Sequence, residues 1–439
     1  MNGSSRKIFW SLIFLFHLGF LTWQLIHQQV MLVDSEEYLQ EAENIIESGD
    51  FYCGDPEQPV RMDNYTKRPP VYPLFLALVI SVFGNKIWVI VFQTLLSFLN
   101  VWLSLKLIRQ IYGQITHPII LLIFIALYPA QFIYTNLIMT EILFQTSLIL
   151  MAIWAIQAWK SNSYQAFWLY TLALIAGIFI KPILYLFIFP HFIVGGIFIW
   201  KTRKFQLILP VIMPLVIVLG YMNWNAQRTG FFHFSSIQNL SLLQYTTYNL
   251  LIHTYGQEEA LVRADSILYA SLEQPTYAQG QQLLQRECFA VISENKLAFL
   301  GFHLKGIMNF FIDPGRFDLY TFWGLQSNQD GQGFLASFSQ GGYRGMFSYL
   351  WSQPLGIIFL LVLIAGLNGL KTLSFFYFGF CKKTEAIEKI IILGIILYIA
   401  GLTGSSGASR FAVPVFPLIL VTLPCFLDRI ILGWKKFRK

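Results

Sequence analysis

Three carboxylates, Asp34, Glu36 and Glu37, follow directly on the first long apolar run of the chain, and a basic pair, Lys67 and Arg68, runs into Pro69 and Pro70. Between Asn64 and Gln257 the only acidic residue is Glu141, in YTNLIMTEILFQ. Two further cations stand alone in apolar surroundings: Lys181, before Pro182, and Arg410, in SSGASRFAVP. An ionisable group in a membrane segment is costly and usually faces a cavity or a partner. Cations beside a Pro-interrupted helix start suit a phosphate. Carboxylates next to such cations suit a transfer reaction, in which a base deprotonates an acceptor while the cations stabilise charge developing on a departing phosphate. Interfacial snorkelling is the competing explanation for Lys181 and Arg410, and pairing with a structural lysine is the one for Glu141.

A membrane protein has to position these residues. The 439 residues are 56% hydrophobic and 12% charged, with a mean hydropathy of +0.57, outside the range of soluble globular proteins. The run from Ile8 to about Ile26 follows Arg6 and Lys7, is too long for a signal-peptide core and has no small-residue cleavage site, so a retained first span is expected. Apolar stretches near 8–30, 86–108, 117–134, 137–159, 165–180, 182–200, 205–224, 350–370, 388–404 and 410–431 predict an all-α polytopic protein of about ten transmembrane helices. The run 71–84 is also apolar, and charge decides its place. If it lies along the outer surface instead of spanning, the cytoplasmic segments collect 17 of the 30 basic residues, Lys371 and Lys382 among them, against the three acids Glu385, Glu388 and Asp428.

Both termini are then cytoplasmic, and 31–85 and 225–347 face outward. The predicted units are 1–224, a transmembrane catalytic module that includes the outer loop 31–85; 225–347, an outer segment that selects the acceptor; and 348–439, the C-terminal transmembrane helices. Within the second unit, 257–300 reads as two amphipathic helices and 313–347 as an irregular loop. The expected location is a bacterial cytoplasmic membrane, with the site on the outer face. A net charge of +7 distributed in this way points to topology, not to nucleic acid. Cys53, Cys288, Cys381 and Cys425 show neither metal-ligand spacing nor a disulfide framework; Cys53 and Cys288 could meet on the outer side, but two unpaired, inert thiols are the expectation.

With these residues in view, the chain resembles the GT-C superfamily of glycosyltransferases that use polyprenyl-phosphate sugars, in the branch of protein O-mannosyltransferases and lipid A aminoarabinose transferases. VDSEEYLQEAENIIESGDFY is similar to that branch's first outer loop, and KRPPVYPLFLALVISVFG to its basic-Pro-Pro-apolar surface segment. NLIMTEILF, FIKPILYL and SRFAVPVFP follow in the family's order. The resemblance covers nearly all of the membrane part and little of 225–347. It implies a catalytic base at Asp34, supported by Glu36 or Glu37, with Glu141 organising the same pocket. Lys67, Arg68, Lys181 and Arg410 would grip the lipid phosphate, and attack at the anomeric carbon would be inverting. Aminoarabinose transferases carry an acid before their Lys-Pro that helps bind a metal, whereas Lys67 precedes Arg68 here. That departure argues against a divalent metal, and no other cofactor is implied. Tyr72 and His253 are additional candidate site residues, His253 being the best remaining ligand.

The implied partners are a polyprenyl-phosphate-linked sugar donor, a lipid, glycan or protein acceptor, and the bilayer. A transporter or flippase of a lipid-linked sugar is the alternative. It would more often show repeat halves and ionisable groups near the midplane, whereas these groups collect toward one face.

Overall fold

The computed structural model describes residues 3–324, 343–345, 348, 351 and 355–437, and among the described residues every regular element is a helix, with no strand. The helices, in order, are α1 (Gly3–His27), α2 (Val33–Glu47), α3 (Val71–Phe83), α4 (Ile87–Tyr112), α5 (Pro118–Ala126), α6 (Pro129–Thr135), α7 (Glu141–Ser161), α8 (Tyr164–Ile180), α9 (Ile188–Thr202) and α10 (Ile208–Thr229). There follow α11 (Ile237–Ser241), α12 (Tyr248–Tyr255), α13 (Gln257–Leu272), α14 (Tyr277–Glu294), α15 (Lys296–Ile312), α16 (Arg316–Phe322), α17 (Leu355–Gly379), α18 (Ala386–Leu402), α19 (Ser409–Ala412) and α20 (Phe416–Phe437). Among the described residues seven helical stretches are long and apolar enough to cross a membrane, and α5 with α6 makes an eighth if that bent pair is one span.

A helix runs through the described part of each of the ten apolar stretches read from the sequence, but 117–134 is not one straight rod. It is broken between α5 and α6 by a bend of 57°. Pro129 causes the break: it opens α6, has no amide to donate and pushes Tyr128 out of the helical region. α3, at 13 residues, is about 20 Å long and too short for a hydrocarbon core of about 30 Å. One face of α3, Tyr72, Leu76, Ala77 and Val79, packs on Tyr38, Leu39 and Ala42 of α2. Its other face leaves Leu74, Leu78 and Val82 exposed, four residues apart.

The irregular backbone at 135–138, just before Glu141, lies deep in the bundle, where each open carbonyl would be costly. Side chains of other helices satisfy it. Gln93 Nε2 donates to the carbonyls of Thr135 and Leu137 at 3.1 and 2.7 Å, and Gln24 Nε2 to that of Asn136 at 3.0 Å. Ser35 Oγ donates to the carbonyl of Ile138 at 2.9 Å. An interhelical hydrogen bond in a membrane bundle contributes about 0.6 kcal/mol on average, so the set holds this loop and no single member does.

At the opposite end of the bundle the three acids expected there are all paired with basic residues. Lys160 meets Glu388 at 2.6 Å and Glu385 at 3.2 Å, and Asp428 takes His117 at 2.8 Å and Lys383 at 2.6 Å.

Several expectations need correction. Lys371 is not in a loop: α17 runs on to Gly379, and the lysine is buried inside it, over the ring of Tyr128 at 4.0 Å. Cys381 and Cys425, expected to be unpaired, are joined, because the end of α17 and the middle of α20 lie side by side. Cys53 and Cys288, by contrast, are the separate thiols expected, and both are buried. The two amphipathic helices expected in 257–300 are α13 and α14, and a third, α15, continues to Ile312. Of the stretch 313–347, expected to be irregular, Arg316–Phe322 is helical and 325–342 lie outside the described residues.

Candidate active site

Asp34 lies in the first turn of α2, where its carboxylate faces the helix dipole favourably. The start of α2 is fixed by Ser35, whose Oγ accepts the amide of Leu32 at 2.9 Å while donating to Ile138. Helical spacing carries Asp34, Glu37, Tyr38 and Glu41 along one face, and Tyr38 and Glu41 are buried there. Glu36, two residues from Asp34, points away from that face, is exposed and takes no part in the cluster.

Lys67 and Arg68 arrive from a loop pinned on both sides. Ser235 Oγ donates to the carbonyl of Lys67 at 2.9 Å and Ser236 Oγ to that of Asp63 at 2.7 Å, while His233 shares a 2.7 Å hydrogen bond with Thr66. Arg68 then reaches Asp34 Oδ1 at 2.8 Å and Glu37 Oε2 at 2.6 Å, and Lys67 reaches Glu37 Oε1 at 2.5 Å. The guanidinium carbon lies 4.6 Å from the Tyr38 ring centre. Tyr72 does not face the cluster. It is buried beneath Tyr38, ring edge to ring, and its hydroxyl donates to Gln93 at 2.7 Å.

Glu141 is the first residue of α7 and is fully buried. It accepts Lys181 Nζ at 2.9 Å and Arg410 Nε at 2.6 Å, both on Oε1. Lys181 directly follows α8, which lies close against α7 because Gly177 has no side chain: a Cβ there would come within 2.3 Å of Ser147 Oγ. Arg410, at the start of α19, closes the network by giving Nη2 to Asp34 Oδ2 at 2.7 Å. Asp34 is therefore held between two guanidiniums, one from each half of the chain. Burial by itself would raise its carboxyl, but Arg68 and then Arg410 hold it below the usual carboxylate range. Arg410 and Asp34 keep 25% and 27% of their side chains exposed, whereas Glu141 is at 0%, so the first two are open to solvent and Glu141 lies behind them.

Seven residues picked from sequence thus form one connected cluster: Asp34, Glu37, Lys67, Arg68, Glu141, Lys181 and Arg410, the last joining its two sides. His253 is exposed on α12, 6.3 Å from the ring of Phe302, and belongs to another part of the molecule. Among the described residues no group of three His, Cys, Asp or Glu is arranged to hold a metal.

Sequence reasoning missed Glu41, which is 2% exposed, has one carboxyl oxygen without a hydrogen-bond partner and is pushed up to about 8, chiefly by burial. The signal was available: Glu41 stands seven residues after Asp34 and four after Glu37, on the same face of α2. Also missed were Tyr38, which stacks on Arg68, and Ser409, which fixes the start of α19.

No curated protein matches the chain. A family model does, that of the dolichyl-phosphate-mannose-protein mannosyltransferases, over residues 67–224. The matched stretch carries Lys67, Arg68, Glu141 and Lys181, while Asp34 and Arg410 lie outside it. Together with the all-helical polytopic fold, that match supports a membrane glycosyltransferase of the GT-C type, one that draws its sugar from a polyprenyl-phosphate donor.

Proposed function

We propose that the chain transfers a sugar from a polyprenyl-phosphate donor to an acceptor on the outer face of the membrane, with inversion, and that Asp34 is the base. The observation that carries this reading is the shared clamp on Asp34. Four cations, Lys67, Arg68, Lys181 and Arg410, meet three carboxylates, Asp34, Glu37 and Glu141, in one network. Its net charge of +1 matches the single negative charge of a phosphodiester. Arg410 spends Nε and Nη2 on Glu141 and Asp34, and a guanidinium has five N–H donors, so Nη1 and the second Nη2 hydrogen are available to a phosphate.

The clamp also gives an order to the steps. With both guanidiniums in place Asp34 binds protons weakly. A donor phosphate that draws on Arg410 weakens one of the two bonds and raises the proton affinity of Asp34 as the acceptor arrives. The acceptor hydroxyl then gives its proton to Asp34, and its oxygen bonds to the anomeric carbon. The bond from that carbon to the phosphate oxygen breaks, its electron pair staying on the phosphate. The second negative charge that results is stabilised by Arg68, Lys181 and Arg410. Hexose or pentose as the donor sugar, and lipid, glycan or protein as the acceptor, fit the same steps.

Arg410→Ala and Arg68→Ala are expected to raise the donor's KM by about tenfold or more with little change in the acceptor's. Steady-state kinetics of the purified chain with a polyprenyl-phosphate hexose measures both, and equal effects on the two substrates would contradict a phosphate clamp.

A further inference from the structure

Two acids outside the cluster reach the residue beside Arg410. Asp313 directly follows α15, and its Oδ2 accepts the backbone amide of Ser409 at 2.8 Å. Its Oδ1 accepts the amide of Gly315 at 3.0 Å. Asp318, in α16, accepts Ser409 Oγ at 2.6 Å on Oδ2 and the Tyr134 hydroxyl at 2.7 Å on Oδ1. Ser409 opens α19 and Arg410 is its second residue.

The two acids are themselves rigidly placed. α15 passes so close to the loop before α19 that a Cβ on Gly306 would fall on the carbonyl oxygen of Gly404. Asn368 of α17 donates to the carbonyl of Asp313 at 2.8 Å. Neither carboxylate touches the cluster, yet both are spent on a helix of four residues. A helix that short has no cooperative stability of its own, so bonds from outside set the direction in which it presents Arg410. Through Tyr134 of α6, Asp318 also fixes the element that leads to Glu141. One carboxylate therefore ties the start of α19, which carries Arg410, to α6, the helix that precedes Glu141.

We propose that Asp313 and Asp318 are positioning residues for the transfer reaction, which aim Arg410 at the donor phosphate by holding Ser409 between α15, α16 and α6. This rests on the reading of Arg410 as a phosphate-binding cation. The groups facing Asp318 are Ser409, Tyr134, Asp313 and Arg410, and burial pushes its carboxyl up to about 6. Above that pH both oxygens accept, one from each hydroxyl. As pH falls through 6 one oxygen takes a proton, and the charge-assisted bonds to the two hydroxyls become weaker neutral ones. The hold on Arg410 is therefore present at neutral pH and weakens on the acid side.

The test is binding of a short-chain polyprenyl-phosphate mannose to the purified full chain in detergent, measured by tryptophan fluorescence from about pH 5 to 8, where a phosphodiester keeps one charge. For the wild type, affinity is expected to fall as pH drops through 6. Asp318→Asn is expected to bind about three- to tenfold more weakly at neutral pH and to lose that pH step. Ser409→Ala, which removes the same contact from the other side, is expected to do likewise and covers the case in which Asp318→Asn fails to fold. Wild-type affinity with the pH step intact in both variants overturns the proposal, as does a lowered melting temperature with no change in binding. Arg410→Ala separates the two readings. Loss of binding there with unchanged Asp318→Asn removes only the positioning role, whereas wild-type affinity in Arg410→Ala removes the phosphate clamp itself.

Discussion

Asp34 accepts from two guanidiniums, and a carboxylate so held stays ionised throughout the neutral range. A carboxylate two turns along the same face of α2 behaves in the opposite way. Glu41 is pushed up to about 8 from an ordinary 4.5, with burial outweighing the pull of Arg68 and Arg228, and Glu37 adding repulsion. The folded chain thus keeps a proton that the unfolded chain would release. The stability this provides is fully present below 4.5 and is lost as pH rises through 8. Glu41→Gln should therefore melt at the same temperature as the wild type near pH 5 and higher near pH 9, a gain on the order of a few kcal/mol at most. A melting curve at each pH checks this, and a gain at pH 5 alone would contradict it. At this scale the sequence was informative for isolated charges: a lone Glu141 or Arg410 in an apolar run needs a partner. For Glu41 the spacing from Asp34 and Glu37 pointed to their shared face, but its burial left no mark on the composition of a polar stretch with ten of the chain's 23 acids.

Elements bring the charges together by close approach and by broken helices. α8 carries Lys181 to Glu141 only because Gly177 lets it lie against Ser147 and Leu184. Gly177→Leu should push α8 off α7, destabilise the chain by about 1–3 kcal/mol and weaken donor binding, while Gly196→Leu, where a Cβ would meet nothing, should do neither. Thermal melting and donor affinity of the two variants check it; equal effects would mean that the approach of α8 is not what positions Lys181. Element lengths were legible where charge bias overruled hydropathy, as for α3, which the charge count takes out of the spans. They were misread where hydropathy alone was available. The apolar stretch through Pro129 concealed a bend of 57°, and α17 ran past Lys371, a cation that its aromatic neighbours Tyr128 and Phe416 accommodate.

For the whole molecule, the two ends of the bundle are chemically distinct. One gathers the Asp34 cluster, and the other holds Lys160, His117 and Lys383 against Glu385, Glu388 and Asp428. Positive charge in short loops sets orientation, so the cluster is expected to face outward. Gln58→Cys, beside the cluster's loop, should react with a membrane-impermeant thiol reagent on intact cells, and Lys382→Cys only after the cells are opened. Both positions are exposed, and the reverse pattern would invert the topology. Fold class was legible in composition. The joining of the chain's two halves through Arg410 and Asp34 was not, because no local pattern encodes a contact across 376 residues.

In proteoliposomes supplied with a polyprenyl-phosphate hexose and a membrane extract as acceptor, the polyprenyl phosphate released can be counted for wild type and for Asp34→Asn. A base at Asp34 predicts sustained release by the wild type and a rate lowered by about a hundredfold or more in the variant, with donor affinity largely kept. Release by Asp34→Asn at the wild-type rate, or flipping of the donor with no polyprenyl phosphate released by either protein, would contradict a transferase centred on Asp34.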